Sequence, residues 1–179
     1  MWSIKEEEQP RSFPAFCKLL DVVECVELKN DYRAKALPIQ HTDSAYQHHH
    51  IDPSYDQLSL YTRISHCVDK LNDQTFKLDI NHIDLHYCGF GPKSKWPLTT
   101  PYLHKSRSQI KLAFIINLSD DYESGVMSVG LREDQQAVTS TVDIGTVIMF
   151  PSFFSIDMQP PVKGSQDIIL GYCYGPQFK

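Results

Sequence analysis

Apolar positions in this chain recur first at spacings of three and four and later at spacings of two. Asp21 followed by Glu24 makes a capping-box pattern. The segment it opens, Val22 to Ala36, reads as a helix that Pro38 stops. A polar stretch from His41 to Ile51 follows, and its His48-His49-His50 run reads as a flexible surface segment. Asp52-Pro53 then looks like a helix start, with proline at the first helical position. Leu58, Tyr61, Ile64, Val68 and Leu71 form one apolar stripe facing a core, and Asn72-Asp73 closes it.

From Phe76 onward the period is two. Leu78, Ile80, Ile83, Leu85 and Tyr87 fall on strand-like spacings, with a register break near Asn81. A loop rich in Pro, Lys and Thr runs from Gly89 to Ser108. Ile110 to Leu118 is a nearly continuous apolar run, the pattern of a strand buried on both faces. After a turn at Ser119 to Gly125, short strands are expected at Val126–Leu131, Ala137–Val142, Thr146–Phe150 and Ile168–Tyr174. Two helices packed on a run of short antiparallel strands make an α+β, jelly-roll-like domain.

A length of 179 residues fits one domain with a proper core. Eleven prolines and eight glycines suit many short strands and turns. The net charge of −5 is spread along the chain. One compact basic cluster (Lys93, Lys95, His104, Lys105, Arg107) encloses Trp96 and Tyr102. That is a weak nucleic-acid footprint, and a solvated loop explains it more simply. The cysteines Cys17, Cys25, Cys67, Cys88 and Cys173 are odd in number and lack CxxC spacing. They argue against a zinc ribbon or a disulfide framework, and for a reducing compartment. The acidic, polar stretch Met1 to Pro10 does not read as a signal peptide. No apolar run reaches the length of a membrane span. Synthesis in a cytoplasm is therefore expected.

Three stretches together resemble the prolyl-4-hydroxylase-type branch of the Fe(II)/2-oxoglutarate oxygenases. Lys111 to Gly125, ending Asp120-Asp121-Tyr122-Glu123-Ser124-Gly125, is similar to that family's core strand and its "EGG" turn. Gly145 to Phe150-Pro151-Ser152 is similar to its strand that ends in FPS. Pro160 to Lys163-Gly164 leads into Ile168-Ile169-Leu170-Gly171 and Gly175-Pro176, as the family's last strand does. Upstream, Tyr61 to Asn72 with Phe76 to Ile80 resembles the helix and first strand before the barrel. The likeness spans Leu58 to Phe178, more loosely Phe13 onward, and is nearest to the small stand-alone members common in bacteriophage genomes. It implies a double-stranded β-helix, cupin-like, with two N-terminal helices packed outside. Residues 1–12 would be a tail, 13–75 the helical part and 76–179 the β-helix.

The resemblance also says where chemistry is expected. The family holds iron through two histidines and a carboxylate, the first pair as HxD after an aromatic residue. Here that place reads Trp96-Pro97-Leu98-Thr99, and neither Pro97 nor Thr99 offers an imidazole or a carboxylate. Ile156 falls at the distal histidine, and Gln166 at the arginine that pairs with 2-oxoglutarate. With these four positions degenerate, the expected content is no iron and no 2-oxoglutarate. Burying Ile156 in a former metal cavity would stabilise by roughly 1.5–3 kcal/mol.

Other ligand sets are conceivable. His82, Asp84 and His86 alternate along one strand and so share a face, a chemically competent trio for a divalent metal. A solvent-facing or interface stripe is the simpler reading of them. His41-Thr42-Asp43 is an HxD in letters but lies far upstream, and no histidine follows His104. Cys88 and Cys173 read as inert, buried thiols.

Three functions follow. The first is a catalytically inactive oxygenase-fold scaffold that binds other proteins, in a phage setting a virion or assembly component. Trp96, Tyr102 and Leu103 in the loop, with Tyr174 and Phe178 at the C-terminal end, are its interface candidates. The second is an active Fe(II)/2-oxoglutarate hydroxylase with displaced ligands. The third is a small-molecule or sugar-binding module in the barrel mouth.

Overall fold

The capping box at Asp21 forms as its spacing predicts. In the computed structural model the Asp21 carboxylate accepts from the Glu24 N–H at 2.8 Å, and the Glu24 carboxylate accepts from the Asp21 N–H at 2.9 Å. The structure describes residues 14–41, 44–53, 57–96, 109–131, 136–137 and 143–176. After a short strand β1 (Ala15–Lys18), helix α1 (Val22–Lys35) buries Cys25, Lys29 and Tyr32 along one stripe. It ends where Ala36 turns extended ahead of Pro38. Helix α2 (Leu58–Leu71) buries Leu60, Ile64, Cys67, Val68 and Leu71. It begins later than Asp52-Pro53 suggested.

A π-helical turn, Asn72–Phe76, extends α2 and ends at Lys77, whose φ of 54° is left-handed. The Asn72 amide then brackets the backbone of Leu78, donating to its carbonyl and accepting from its N–H. This fold-back corrects the strand expected from Phe76. Leu78 and Ile80 pack on the helical layer, and the strand starts at His82.

Around these helices lie β2 (Leu37–His41), β3 (Ser44–Ile51), β4 (His82–Phe90), β5 (Ile110–Asn117), β6 (Val126–Gly130), β7 (Gln136–Ala137), β8 (Thr146–Pro151), β9 (Ser155–Gln159) and β10 (Gln166–Tyr174). One seven-stranded antiparallel sheet runs in the order β1-β8-β5-β10-β4-β3-β2, and a three-stranded sheet in the order β7-β6-β9. The expected double-stranded β-helix is thus present, with both helices outside it. The strand expected at Ala137–Val142 is described only at its start, and 138–142 lie outside the described residues.

The central strands β5, β8 and β10 of the large sheet are buried on both faces, which is why they read as largely apolar runs. One face, with Leu85, Phe114, Ile116 and Ile169, packs under α1 and α2. The other, with Phe90, Ile115, Ile148 and Ile168, meets Met127, Val129 and Ile156 of the small sheet. Gly171 lets β5 and β10 approach, since a Cβ there would lie 2.0 Å from the Phe114 ring.

The polar stretch His41–Ile51 is the main correction to the fold. It contributes β3, paired with β2 on one side and β4 on the other. Its alternation is of Tyr46, His48 and His50 against Gln47, His49 and Ile51, so hydrophobicity alone does not mark it.

Candidate metal centre

Strand register determines which side chains meet. On β4, residues 84, 86, 88 and 90 point to the face between the sheets, where Cys88 and Phe90 join the core. β3 pairs so that His50 stands opposite His86 and His48 opposite Cys88. Two histidines of β3 therefore come beside Asp84 and His86 on the same face.

The contacts form a chain. Asp84 Oδ1 lies 2.7 Å from His50 Nε2, and Asp84 Oδ2 lies 3.0 Å from His86 Nε2. The opposite nitrogens are also engaged: His50 Nδ1 faces Asp52 Oδ1 at 3.0 Å, and His86 Nδ1 faces His48 Nε2 at 3.1 Å. The rings of His48 and His86 meet edge to edge, 28° from coplanar with centroids 5.3 Å apart, and Tyr172 packs across His86 at 5.6 Å. Exposure is graded, from 12 % for the His86 side chain to 21 % for Asp84 and 47 % for His50. Burial alone would push the Asp84 carboxyl up, but hydrogen bonds and charge from His86 and His50 outweigh it. The group is held well below the usual carboxylate range.

Among the described residues, His50, Asp84 and His86 are the group whose ligand atoms converge, all within 4.8 Å of one another. Donors about 2.0–2.2 Å from a common ion stand up to about 4 Å apart, so a cation would need only a small closure. Two imidazoles and a carboxylate are the donor set of non-haem Fe(II) sites, and they suit other divalent first-row metals too. The residues present therefore fit an iron(II) ion.

The expected trio was near this answer but not identical to it. Asp84 and His86 take part, while His82 lies two residues further along β4 with its ring against Tyr174, 5.5 Å away. His50 replaces it, brought in by a strand pairing that spans 34 residues of sequence. Of the stripe read as solvent-facing or interface, His82 is exposed, while Asp84 and His86 are part-buried on the inner face of the large sheet.

The remaining expected positions are scattered. Ile156 is buried in the core between the sheets. Gln166 is fully buried there, and neither amide atom has a hydrogen-bond partner among the described residues. Trp96 packs into the same core, its ring centroid 5.0 Å from Tyr46 and 5.5 Å from Phe90. Pro97, Thr99, Tyr102, Leu103, His104 and Phe178 lie outside the described residues.

No family model matches the chain, and no curated protein matches it by sequence. Solved structures do. A prolyl-4-hydroxylase of Pseudomonas putida is similar with a TM-score of 0.73 at 13 % identity, covering 92 % of this chain and 94 % of that one. The viral collagen prolyl hydroxylase of Paramecium bursaria Chlorella virus-1, in complex with 2-oxoglutarate, gives 0.66 at 12 %, over 92 % and 97 %. A prolyl hydroxylase of Trichoplax adhaerens, in complex with a hypoxia inducible factor peptide, gives 0.68 at 11 %, over 90 % and 84 %. The chain has the fold of the 2-oxoglutarate/Fe(II) oxygenases. The expectation of neither iron nor 2-oxoglutarate is overturned by the His50–Asp84–His86 group and by the nature of these neighbours.

Proposed function

We propose that this protein is an Fe(II)/2-oxoglutarate hydroxylase whose metal ligands are displaced onto β3 and β4. The observation that carries the reading is the convergence of His50, Asp84 and His86 within 4.8 Å, on an oxygenase fold. Bound there, Fe(II) would supply the redox chemistry that couples decarboxylation of a keto acid to hydroxylation of a substrate. The chain's own residues do the rest. Asp84 stays ionised and so keeps a negative charge ready for the cation. His86 is held between the His48 ring, through the contact of their nitrogens, and the ring of Tyr172, which fixes its plane. His50, the most exposed of the three, leaves the site open on its own side.

The alternative of an inert scaffold rested on missing ligands together with the lack of any rival site. The β3–β4 group supplies such a site, which leaves the scaffold reading and its virion setting without that support.

The experiment is to strip the protein with chelator, reload it with Fe(II) under nitrogen, then add oxygen and 2-oxoglutarate. Uncoupled succinate release above a heat-killed control is expected, and Asp84→Asn and His86→Ala should abolish it. Protein that retains no iron and releases no succinate would overturn the proposal.

A further inference from the structure

A histidine ligand is usable only when the right nitrogen carries the lone pair. Each imidazole has two nitrogens, and the partner of the one facing away from the ion selects the tautomer and fixes the ring. In this protein both away-facing nitrogens are provided for. Asp52 Oδ1 stands 3.0 Å from His50 Nδ1, and His48 Nε2 stands 3.1 Å from His86 Nδ1. With a cation in place of the Nε2 protons shared with Asp84, a proton on each Nδ1 would be donated outward, to Asp52 and to His48, leaving both Nε2 lone pairs for the ion.

We infer that Asp52 and His48 are positioning residues for the His50–Asp84–His86 site, setting the tautomer and ring orientation of its two histidines. The inference rests on the proposed metal site but names residues beyond it. Asp52 follows β3 directly, so the strand that delivers His50 also places its partner. His48 is on the same strand and the same face, two residues before His50, and meets edge to edge the ring it orients.

The two are not equal. The Asp52 side chain is 76 % exposed, so water screens its pull on His50 and competes for the same N–H. His48 is half-buried and touches His86, the least exposed ligand, where water is a poor substitute. Loss of such a partner typically lowers metal affinity about 10–100-fold. His48 belongs at the upper end of that range and Asp52 at the lower.

Co(II) is the probe, because its visible band reports the ligand field directly. Titration of the full chain should give tight binding that His86→Ala removes. His48→Leu should weaken Co(II) about 100-fold, and His48→Gln, whose amide oxygen can still accept the His86 N–H, should regain most of that. Asp52→Ala should weaken it about 10-fold, with an unchanged metal-free melting temperature and a shifted Co(II) band at saturation. Full affinity and an unmoved band in both His48→Leu and Asp52→Ala would overturn the inference while leaving the metal site standing. Failure of the unaltered protein to bind Co(II) would instead remove the site itself, and the inference with it.

Discussion

Arg33, on α1, donates a hydrogen bond of 2.5 Å to the carboxylate of Asp167, on β10. Asp167 is fully buried, and Tyr87 donates to its other oxygen. A carboxylate at zero exposure beneath the helices is tolerable only with such donors. Breaking a buried pair by removing one partner costs about 3–5 kcal/mol. The Arg33 side chain is 44 % exposed, however, so water can reach the carboxylate once it is gone. We expect Arg33→Met to lose about 1–3 kcal/mol in urea unfolding, at unchanged m-value. Adding Asp167→Asn should recover part of the loss, because the uncompensated charge disappears. A loss below about 0.5 kcal/mol would show that the pair holds nothing together.

A second ion pair joins the two helices and makes stability depend on pH. Arg63 of α2 donates to both carboxylate oxygens of Glu24 on α1. The Arg63 guanidinium, helped by the Asp21 N–H, lowers the Glu24 pKa from its ordinary 4.5 to about 2. A carboxylate depressed in the folded state contributes stability above its unfolded pKa and loses it as pH falls through the folded value. The contribution is therefore whole at pH 6, declines below about 4.5 and is gone near 2. Glu24→Gln lacks it throughout. The gap in unfolding free energy between the two proteins should narrow as pH drops from 5 towards 2, as followed by urea unfolding at each pH. A constant gap would exclude the pair as a pH-dependent link.

Gln166 presents the opposite case, a polar group whose burial is uncompensated among the described residues. Its amide nitrogen and oxygen both lie in the core between the sheets without a partner there. Leaving such a group unsatisfied costs about 1–3 kcal/mol. Gln166→Met keeps the length of the side chain and removes the penalty. It should stabilise by about 1–2 kcal/mol, raising the melting temperature about 2–8 °C for a chain of this size. A lowered melting temperature would mean that the amide is satisfied in solution and that removing it breaks a bond.

Much of this fold can be read from residue order. The stripe from Leu58 to Leu71 marks α2, and the double-sided burial of β5 is visible in Ile110 to Leu118. Asp21 and Glu24 place the start of α1 to the residue. What escapes is whatever depends on pairing. β3 carries three histidines and only one buried apolar residue, Ile51, so no hydrophobic alternation announces it. The candidate site was half legible for the same reason. Period two puts Asp84 and His86 on one face, but it favours His82 as the third member, whereas the register of β3 against β4 delivers His50. No local pattern encodes that register; it is settled by Ile51 seating opposite Leu85 in the helix-side core. Trp96 shows how a loop residue can also serve the core: set among basic residues in the sequence, its half-buried ring lies against Tyr46 and Phe90.

If the β3–β4 group binds a metal, folding and binding must be linked. The three ligands come from two strands that pair only in the folded sheet, so the unfolded chain does not assemble them. A ligand that binds only the native state stabilises it by RT ln(1 + [L]/Kd), about 2.7 kcal/mol at a hundredfold excess over Kd. For a domain of this size that is a rise of about 5–11 °C in melting temperature. Co(II) at such an excess, added to chelator-stripped protein, should produce that rise. The gain should vanish in Asp84→Asn, which keeps the size of the side chain and removes its charge. Mg(II) should give little, because it favours oxygen ligands and sheds its water reluctantly. His82→Ala should leave the Co(II) shift intact, since His82 stands against Tyr174 rather than in the converging group. A shift lost with His82→Ala but kept with His50→Ala would move the site along β4 and refute the ligand set assigned here.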